Sequence, residues 1–176
     1  MIETDLKILV VEDSESDYKL LRRQIYKIVE QPAIVRVIYF EDFKKAFNTL
    51  QPDIIISDYK LVDCDGLEIL EYTVSKDSGC TFIFITGTFE NEAIAENTIL
   101  SGADGYILKK HINTMSRLLL PYFKRAVFKK DTRTDFKKDI SLSTGKFIEN
   151  AKKENYLHSQ SCKEIRNYLK SLENLH

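Results

Sequence analysis

Short apolar runs alternate with longer amphipathic stretches from Leu6 to about Ala126, and this alternation constrains the fold more than any other feature of the sequence. The runs are rich in Ile, Val, Phe or Leu, and they lie at Leu6 to Val11, Ile34 to Phe40, Asp53 to Ser57, Thr81 to Ile85 and Gly105 to Leu108. Nearly continuous apolar runs of this length are typical of parallel strands that are buried on both faces. The pattern therefore predicts an α/β fold with five strands in one parallel sheet and helices on both sides of it.

The stretches that separate the apolar runs show the spacing of amphipathic helices. Helices are predicted at Asp17 to Glu30, about Glu41 to Leu50, about Gly66 to Lys76, about Glu90 to Ser101, and from near Asn113 onward. Ser14 or Ser16 would cap the first of them. Because crossovers between parallel strands are right-handed, the five units should form a doubly wound three-layer sandwich. Ligands of such sheets bind at the carboxyl ends of the strands, so functional residues are expected just after each strand.

The sequence changes in character after about Ala126. Residues 1–126 contain 15 Lys and Arg against 20 Asp and Glu, whereas residues 127–176 contain 11 against 7, so the formal net charge of −1 conceals an acidic part and a basic tail. We predict a domain over 1–126 and a helical extension over 127–176, with Ser141 to Gly145 as a turn. Pro121 would kink the fifth helix or start a new turn. The tail has no helix-turn-helix pattern, and we expect no nucleic-acid binding.

Polar residues follow four of the predicted strands at the point where each strand ends. They are Glu12 and Asp13 after the first strand, Asp58 after the third, Thr86 after the fourth and Lys109 after the fifth. Carboxylates that are held close together repel one another, and one ammonium group cannot neutralise three of them. A bound divalent cation relieves the repulsion, and Mg²⁺ suits a site with a few carboxylate oxygens and several waters. The sequence thus predicts a magnesium site at this edge.

These residues lie in segments that match a known family. The segment Ile54 to Leu70 resembles the phosphoacceptor region of two-component response regulator receiver domains, of the kind that includes the chemotaxis regulators. Ile8 to Ser14 resembles the family's acidic pair, Ile85 to Gly87 its switch hydroxyl, and Gly102 to Lys109 its aromatic switch and its lysine. The resemblance covers residues 6 to about 126. It implies a flavodoxin-like (βα)5 sandwich with a role in phosphorelay signal transduction.

The resemblance implies a role for each residue at the strand ends. Asp58 would accept a phosphoryl group from a sensor histidine kinase or a phosphotransfer protein and become an aspartyl phosphate. Mg²⁺ would be held by four groups, namely Glu12, Asp13, Asp58 and the backbone carbonyl of Lys60. Lys109 and Thr86 would each bind a phosphoryl oxygen, because phosphoryl transfer depends mainly on positioning and on charge neutralisation.

A conformational switch is also implied by the resemblance. The phosphoryl group would draw the Thr86 hydroxyl inward, and Tyr106 would rotate into the space that opens, which changes a surface that a downstream output protein or domain binds. Lys60 and Thr88 would border the hydrolytic water and tune the lifetime of the phosphate. We expect slow autodephosphorylation and no enzyme activity beyond it, and the absence of a glycine-rich ATP-lid motif argues against a kinase.

The sequence departs from the family pattern in the loops around the site. Glu12 stands where many members have Asp, and it still supplies a carboxylate. Val62 replaces a common Pro after Leu61, and Lys110 replaces the Pro that commonly follows the lysine. A cis bond without proline costs roughly 2.5 to 4 kcal/mol, so we expect a trans or a strained Lys109–Lys110 peptide.

Other functions remain open at this stage. The chain could be the N-terminal receiver part of a larger hybrid signalling kinase. An aspartyl-phosphate phosphohydrolase would need a second Asp two residues after its nucleophile, where this chain has Lys60. A nucleotide-binding module would need a glycine-rich phosphate loop, and neither GxGxxG nor GxxxxGK[ST] occurs.

The tail and the cysteines suggest partners and a compartment. Apolar positions at a three-four spacing from Ile148 to Leu172 predict a helix that packs on the domain or pairs with a second copy as a homodimer. His158 as a phosphodonor is a second hypothesis, although its neighbours lack the acidic-Leu-Arg setting of such histidines. The three cysteines have no metal or disulfide spacing, the N-terminus has no signal-peptide charge, and no apolar run could span a membrane. We therefore expect a cytoplasmic protein that does not bind membranes.

Overall fold

A computed structural model describes residues 1–76, 79–87 and 98–153, and it describes the side chains of these residues except residue 112 and residues 136–153. The strands are β1 Lys7–Val11, β2 Ala33–Val37, β3 Ile54–Ser57, β4 Thr81–Thr86 and β5 Gly105–Leu108. The helices are α1 Glu15–Ile25, α2 Phe40–Leu50, α3 Gly66–Lys76 and, after a short 3-10 turn at Lys109–Thr114, α4 Met115–Lys153. Most of the helix predicted over about Glu90 to Ser101 lies outside the described residues.

All five strands are parallel and form one sheet in the order β2-β1-β3-β4-β5. The predicted α/β class with a five-stranded parallel sheet is therefore confirmed. The chain passes from β1 to β2 on one side and then returns to β3 on the other side of β1. A crevice forms where the strand order reverses in this way, and ligands of open α/β sheets bind there. The ends of β1 and β3 thus mark the candidate site.

Alternate residues of the strands point into two separate apolar layers. On β1, Ile8 and Val10 belong to the layer that contains α1 and α4, whereas Leu9 and Val11 belong to the layer that contains α2 and α3. Side chains of a strand alternate between the two faces of the sheet, so a strand that is covered on both sides needs apolar residues at every position. The continuous run in β1 is explained by this double burial.

Two predicted boundaries are wrong at the start of the fold. β2 ends at Val37 rather than Phe40, because Phe40 begins α2, and its backbone amide donates to the Asp63 carboxylate at 3.0 Å. The rings of Phe40, Phe43 and Phe47 all contact Tyr72, which explains why Phe40 follows the helical spacing. Helix α1 ends at Ile25, earlier than predicted, and its N-cap is Ser14, whose hydroxyl accepts a hydrogen bond from the amide of Asp17 at 3.3 Å.

Helix α4 is longer than the sequence pattern indicates. It begins ahead of Pro121 and continues through it, so Pro121 does not begin a new element. The predicted turn at Ser141 to Gly145 is wrong, because α4 runs on to Lys153. Serine, threonine and glycine each cost less than about 1 kcal/mol in a helix interior, which flanking helical residues can outweigh. No helix within the described ranges combines the length and apolar character that crossing a lipid bilayer requires.

The chain divides into two compact units, Met1–Asp131 and a second unit that begins at Thr132. Within the first unit, lysines of α4 bind carboxylates at the amino ends of the strands. The ammonium of Lys129 lies 3.3 Å from Asp104, and that of Lys130 lies 3.0 Å from Asp53. Both carboxylates are nearly buried and also accept backbone amides, from Phe82 and Lys7 respectively, so these contacts fasten the helix to the sheet.

Candidate functional site

The carboxylates predicted to converge at the ends of β1 and β3 do so. Ligand oxygens of Glu12, Asp13 and Asp58 all lie within 4.8 Å of one another. Glu12 is only 3% exposed, and the other two residues are partly buried. The register explains the arrangement, because Val11 at the end of β1 pairs with Ser57 at the end of β3, and each acidic residue follows directly. An all-oxygen set of this kind suits a hard cation such as Mg²⁺.

Lys109 connects these carboxylates. Its ammonium donates to Asp58 Oδ2 at 2.6 Å, to Asp17 Oδ2 at 2.7 Å and contacts Glu12 Oε2 at 2.8 Å. The side chain reaches the site because Lys109 directly follows β5 and extends across the carboxyl end of β4. Among the described residues no peptide bond is cis, so the Lys109–Lys110 peptide is trans.

Asp17 belongs to this group, although its place in the sequence does not by itself indicate it. It lies in the first turn of α1 rather than directly after a strand, so the rule of searching at strand ends does not find it. The Ser14 cap starts α1 immediately after the acidic loop, which places Asp17 one helical turn on, beside the loop. One sequence signal could have indicated this contact. It is an Asp three residues after a helix cap, where the cap directly follows the acidic end of a strand.

The charges at the site do not balance. The carboxylates of Glu12, Asp17 and Asp58 contact the ammonium of Lys109, and a carboxylate oxygen of Asp13 lies within 4.8 Å of those of Glu12 and Asp58. Burial raises the pKa of Glu12 above its ordinary value, Lys109 opposes this rise and the charge of Asp58 adds to it. Burial by itself would lower the pKa of Lys109, but hydrogen bonds to the three carboxylates outweigh burial and raise that pKa. The site is therefore strongly acidic, and a divalent cation would offset the excess negative charge.

The backbone around Asp58 is held in a narrow space. Its Oδ1 accepts the amide of Tyr59 at 2.6 Å and that of Lys60 at 3.4 Å. The loop folds back on itself, since the amide of Gly66 donates to the Tyr59 carbonyl at 2.8 Å. Glycine is required at this position, because a Cβ on Gly66 would lie only 2.7 Å from the Asp58 carbonyl oxygen and 2.5 Å from the ring of Phe84. The Lys60 side chain is exposed, and its carbonyl as a metal ligand stays a prediction.

The two predicted switch residues lie on neighbouring strands. Thr86 ends β4 and is 2% exposed, and Tyr106 is half-buried on β5. Phe84 pairs directly with Tyr106, and Thr86 follows Phe84 by two residues, so the side chains of Thr86 and Tyr106 leave the same face of the sheet. Thr88 and His158 lie outside the described residues.

Comparison with known proteins accords with this geometry. Residues 8–119 match the family model of the response regulator receiver domain. The chain belongs to this family. Receiver domains of two-component response regulators are generally phosphoacceptors rather than enzymes, bind Mg²⁺ at an acidic pocket, and interact with histidine kinases and output domains. No curated protein matches the chain.

Solved structures of receiver domains resemble this chain over most of its length. The signal receiver domain of a Luxo repressor protein from Vibrio parahaemolyticus is 25% identical, with a TM-score of 0.65 over 73% of this chain and 98% of that chain. The BeF3-activated DrrB receiver domain is 21% identical, with a TM-score of 0.59 over 70% and 98% respectively. The Mn²⁺-bound response regulator Rcp1 is 19% identical, with a TM-score of 0.56 over 65% and 91%.

Proposed function

We propose that this receiver domain accepts a phosphoryl group on Asp58 in a Mg²⁺-dependent reaction and that phosphorylation switches a protein-interaction surface. The observation that carries the proposal is that Asp58 contacts the ammonium of Lys109 and also lies beside two carboxylates that could bind a metal ion. One Asp58 oxygen contacts Lys109 at 2.6 Å, while the carboxylates of Glu12 and Asp13 lie within 4.8 Å of Asp58. A carboxylate used only to stabilise the fold needs no such group of further carboxylates beside it.

The transfer itself would be a displacement at phosphorus. A carboxylate oxygen of Asp58 attacks the phosphorus atom, and the bond from phosphorus to the histidine nitrogen of the kinase breaks. The imidazole nitrogen keeps the electron pair of that bond and takes up a proton. Mg²⁺, when bound, supplies charge neutralisation at the phosphoryl oxygens. The amides of Tyr59 and Lys60 already contact Asp58 Oδ1 and hold the carboxylate in one orientation.

Lys109 and Thr86 would then stabilise the product. The ammonium of Lys109 would release the Asp58 oxygen that it now contacts and bind a phosphoryl oxygen instead. That phosphoryl oxygen would lie close to the present position of the ammonium. The hydroxyl of Thr86 binds another phosphoryl oxygen from the end of β4. Because Thr86 and Tyr106 share one face of the sheet, an inward movement of Thr86 changes the space that is open to the Tyr106 ring. Lys60 and Thr88 remain the proposed determinants of the phosphate lifetime.

We propose that a sensor histidine kinase or a phosphotransfer protein donates the phosphoryl group. An output protein or domain would then bind the switched surface. Helix α4 extends beyond the first compact unit as far as Lys153, which supports a role for the C-terminal part as a connector or as a homodimer contact. Light scattering with and without beryllofluoride tests this role. We expect the measured mass to change on addition of beryllofluoride. An unchanged mass would refute a dimer that is regulated by phosphorylation and would favour the role of the C-terminal part as a connector.

The phosphoacceptor proposal is tested by mass spectrometry after incubation with Mg²⁺ and acetyl phosphate. We expect the mass of one added phosphoryl group on the wild type and on Asp65→Asn, and none on Asp58→Asn or on the wild type in excess chelator. Asp65 is the matched control, since it lies in the same loop and Asn can still accept the amide of Glu68. Modification of Asp58→Asn would refute the proposal. Multiple-turnover release of phosphate would instead favour a phosphohydrolase.

A further inference from the structure

Arg36, on β2, binds the loop that joins β1 to α1. Its Nε donates to the carbonyl of Glu12 at 2.8 Å, and its Nη2 donates to the carbonyl of Asp13 at 2.9 Å. The remaining Nη1 donates to the Glu15 carboxylate, and the guanidinium lies 5.1 Å from the centroid of the Tyr18 ring. The side chain is 16% exposed. A single planar group thus contacts two successive residues of the loop and the first turn of α1.

These contacts act on the backbone of the residues whose carboxylates form the acidic group. β2 lies on the side of β1 opposite to β3, so Arg36 reaches the loop from the side away from Asp58. Fixing the carbonyls of Glu12 and Asp13 fixes the orientation of the two peptide planes and therefore the direction of each side chain. Without a bound cation, repulsion among the carboxylates favours movement of this loop away from Asp58.

We propose that Arg36 is a positioning residue for divalent-cation binding, which holds the Glu12–Asp13 backbone so that both carboxylates stay directed toward Asp58. The inference rests on the proposed magnesium site but names a residue that touches neither the cation nor the phosphoryl group. Lysine could not replace it, because an ammonium cannot present several donors in one plane to two successive carbonyls.

A positioning role for Arg36 and a role through its charge alone predict opposite changes in cation affinity when Arg36 is replaced. The guanidinium is a positive charge close to a cation site, so a role through charge alone would oppose cation binding, and removal of the charge would strengthen it. A positioning role has the reverse consequence, since loss of the two carbonyl contacts lets the loop move and weakens cation binding.

Isothermal titration calorimetry with Mg²⁺ on the full chain distinguishes the two roles. We expect the dissociation constant to rise about tenfold in Arg36→Lys, which keeps the charge, and to rise also in Arg36→Gln, which removes it. The control is Glu15→Gln, which removes the exposed partner of Arg36 and leaves both carbonyl contacts intact. Its dissociation constant should stay within about twofold of wild type.

Each result decides a different claim. A dissociation constant for Arg36→Lys equal to that of wild type, or tighter binding by Arg36→Gln, would overturn the positioning role. Absence of Mg²⁺ binding by the wild type would instead refute the proposed metal site. If Arg36→Lys is too unstable to titrate, Arg36→Gln decides the question, because it also loses the paired contacts with the Glu12 and Asp13 carbonyls. An unchanged or lower dissociation constant in Arg36→Gln would then overturn the proposal.

Discussion

Replacement of Gly66 by alanine tests the close packing of the loop behind Asp58. A Cβ at this position would lie 2.5 Å from Phe84 Cε1, 2.7 Å from the Asp58 carbonyl oxygen and 3.0 Å from the Tyr59 Cα. Two of these neighbours are backbone atoms, and Phe84 is fully buried against the ring of Tyr59, with the ring centroids 5.7 Å apart. We therefore expect the added methyl group to displace the loop that carries the proposed phosphoacceptor.

Two opposing effects determine how much Gly66→Ala changes the free energy of unfolding. Overpacking of a closed site costs about 1 to 3 kcal/mol of unfolding free energy. Alanine has less conformational freedom than glycine in the unfolded chain, and this difference stabilises the folded variant by about 0.4 to 1 kcal/mol. Gly87→Ala is the matched control, because its Cβ would meet nothing nearer than 3.8 Å and the φ of Gly87 is not positive. Only the second, stabilising effect should apply to that variant.

Urea unfolding followed by circular dichroism in magnesium-free buffer measures the difference. We expect Gly66→Ala to be less stable than Gly87→Ala by roughly 1 to 3 kcal/mol, because the effect on the unfolded chain is common to both variants, and we expect an unchanged dependence on urea concentration. Equal midpoints for the two variants would refute the close contact at Gly66. The same clash should displace the Asp58 carbonyl and weaken Mg²⁺ binding. Lost stability with unchanged Mg²⁺ affinity would show that Phe84 moves and that the position of Asp58 does not depend on Gly66.

Three further predictions concern the charges. Because burial raises the pKa of Glu12, its ionised form destabilises the fold, so Glu12→Gln should be more stable than wild type at pH 7 without metal. That gain in urea unfolding should vanish below about pH 4.5, where Glu12 is protonated in the folded and the unfolded protein. Lys109→Met should lose about 3 kcal/mol of stability in the same assay and yet bind Mg²⁺ more tightly by calorimetry, and weaker binding would contradict the charge argument. A chain that ends at Ala126 lacks Lys129 and Lys130 and should unfold about 1 to 3 kcal/mol more easily than one that ends at Asp131, whereas equal stabilities would show that the two lysines do not fasten the helix.

The sequence was most informative where a structural rule applies to adjacent residues. The five apolar runs predicted five buried parallel strands, because double burial requires apolar residues at successive positions. The convergence of Glu12, Asp13, Asp58 and Lys109 followed from their places after strands, since parallel strands end at one edge. The error at the end of β2 arose because apolar character alone did not distinguish a strand from a helix at Phe40, whose ring packs on Tyr72.

Other parts of the site depend on contacts between residues far apart in the sequence. Asp17 and Lys109 are separated by 92 positions, and no local pattern links a helix residue to a lysine after the fifth strand. Arg36 looks like an ordinary polar position in a strand, and its contacts with the Glu12 and Asp13 carbonyls depend on the pairing of β2 with β1. The close approach at Gly66 likewise depends on the position of Phe84 on another strand.

The sequence by itself thus determined the class of fold, the convergence of Glu12, Asp13 and Asp58, and the residue types that suit a phosphoacceptor with a divalent cation, because these properties depend on local periodicity and on the chemistry of single side chains. Only the tertiary structure decided the strand order, the sharing of one ammonium among three carboxylates, the contacts of Arg36 with the Glu12 and Asp13 carbonyls, and the extent of the first compact unit. These features depend on distances between separate elements, and free energies of burial and of charge interaction change steeply with such distances.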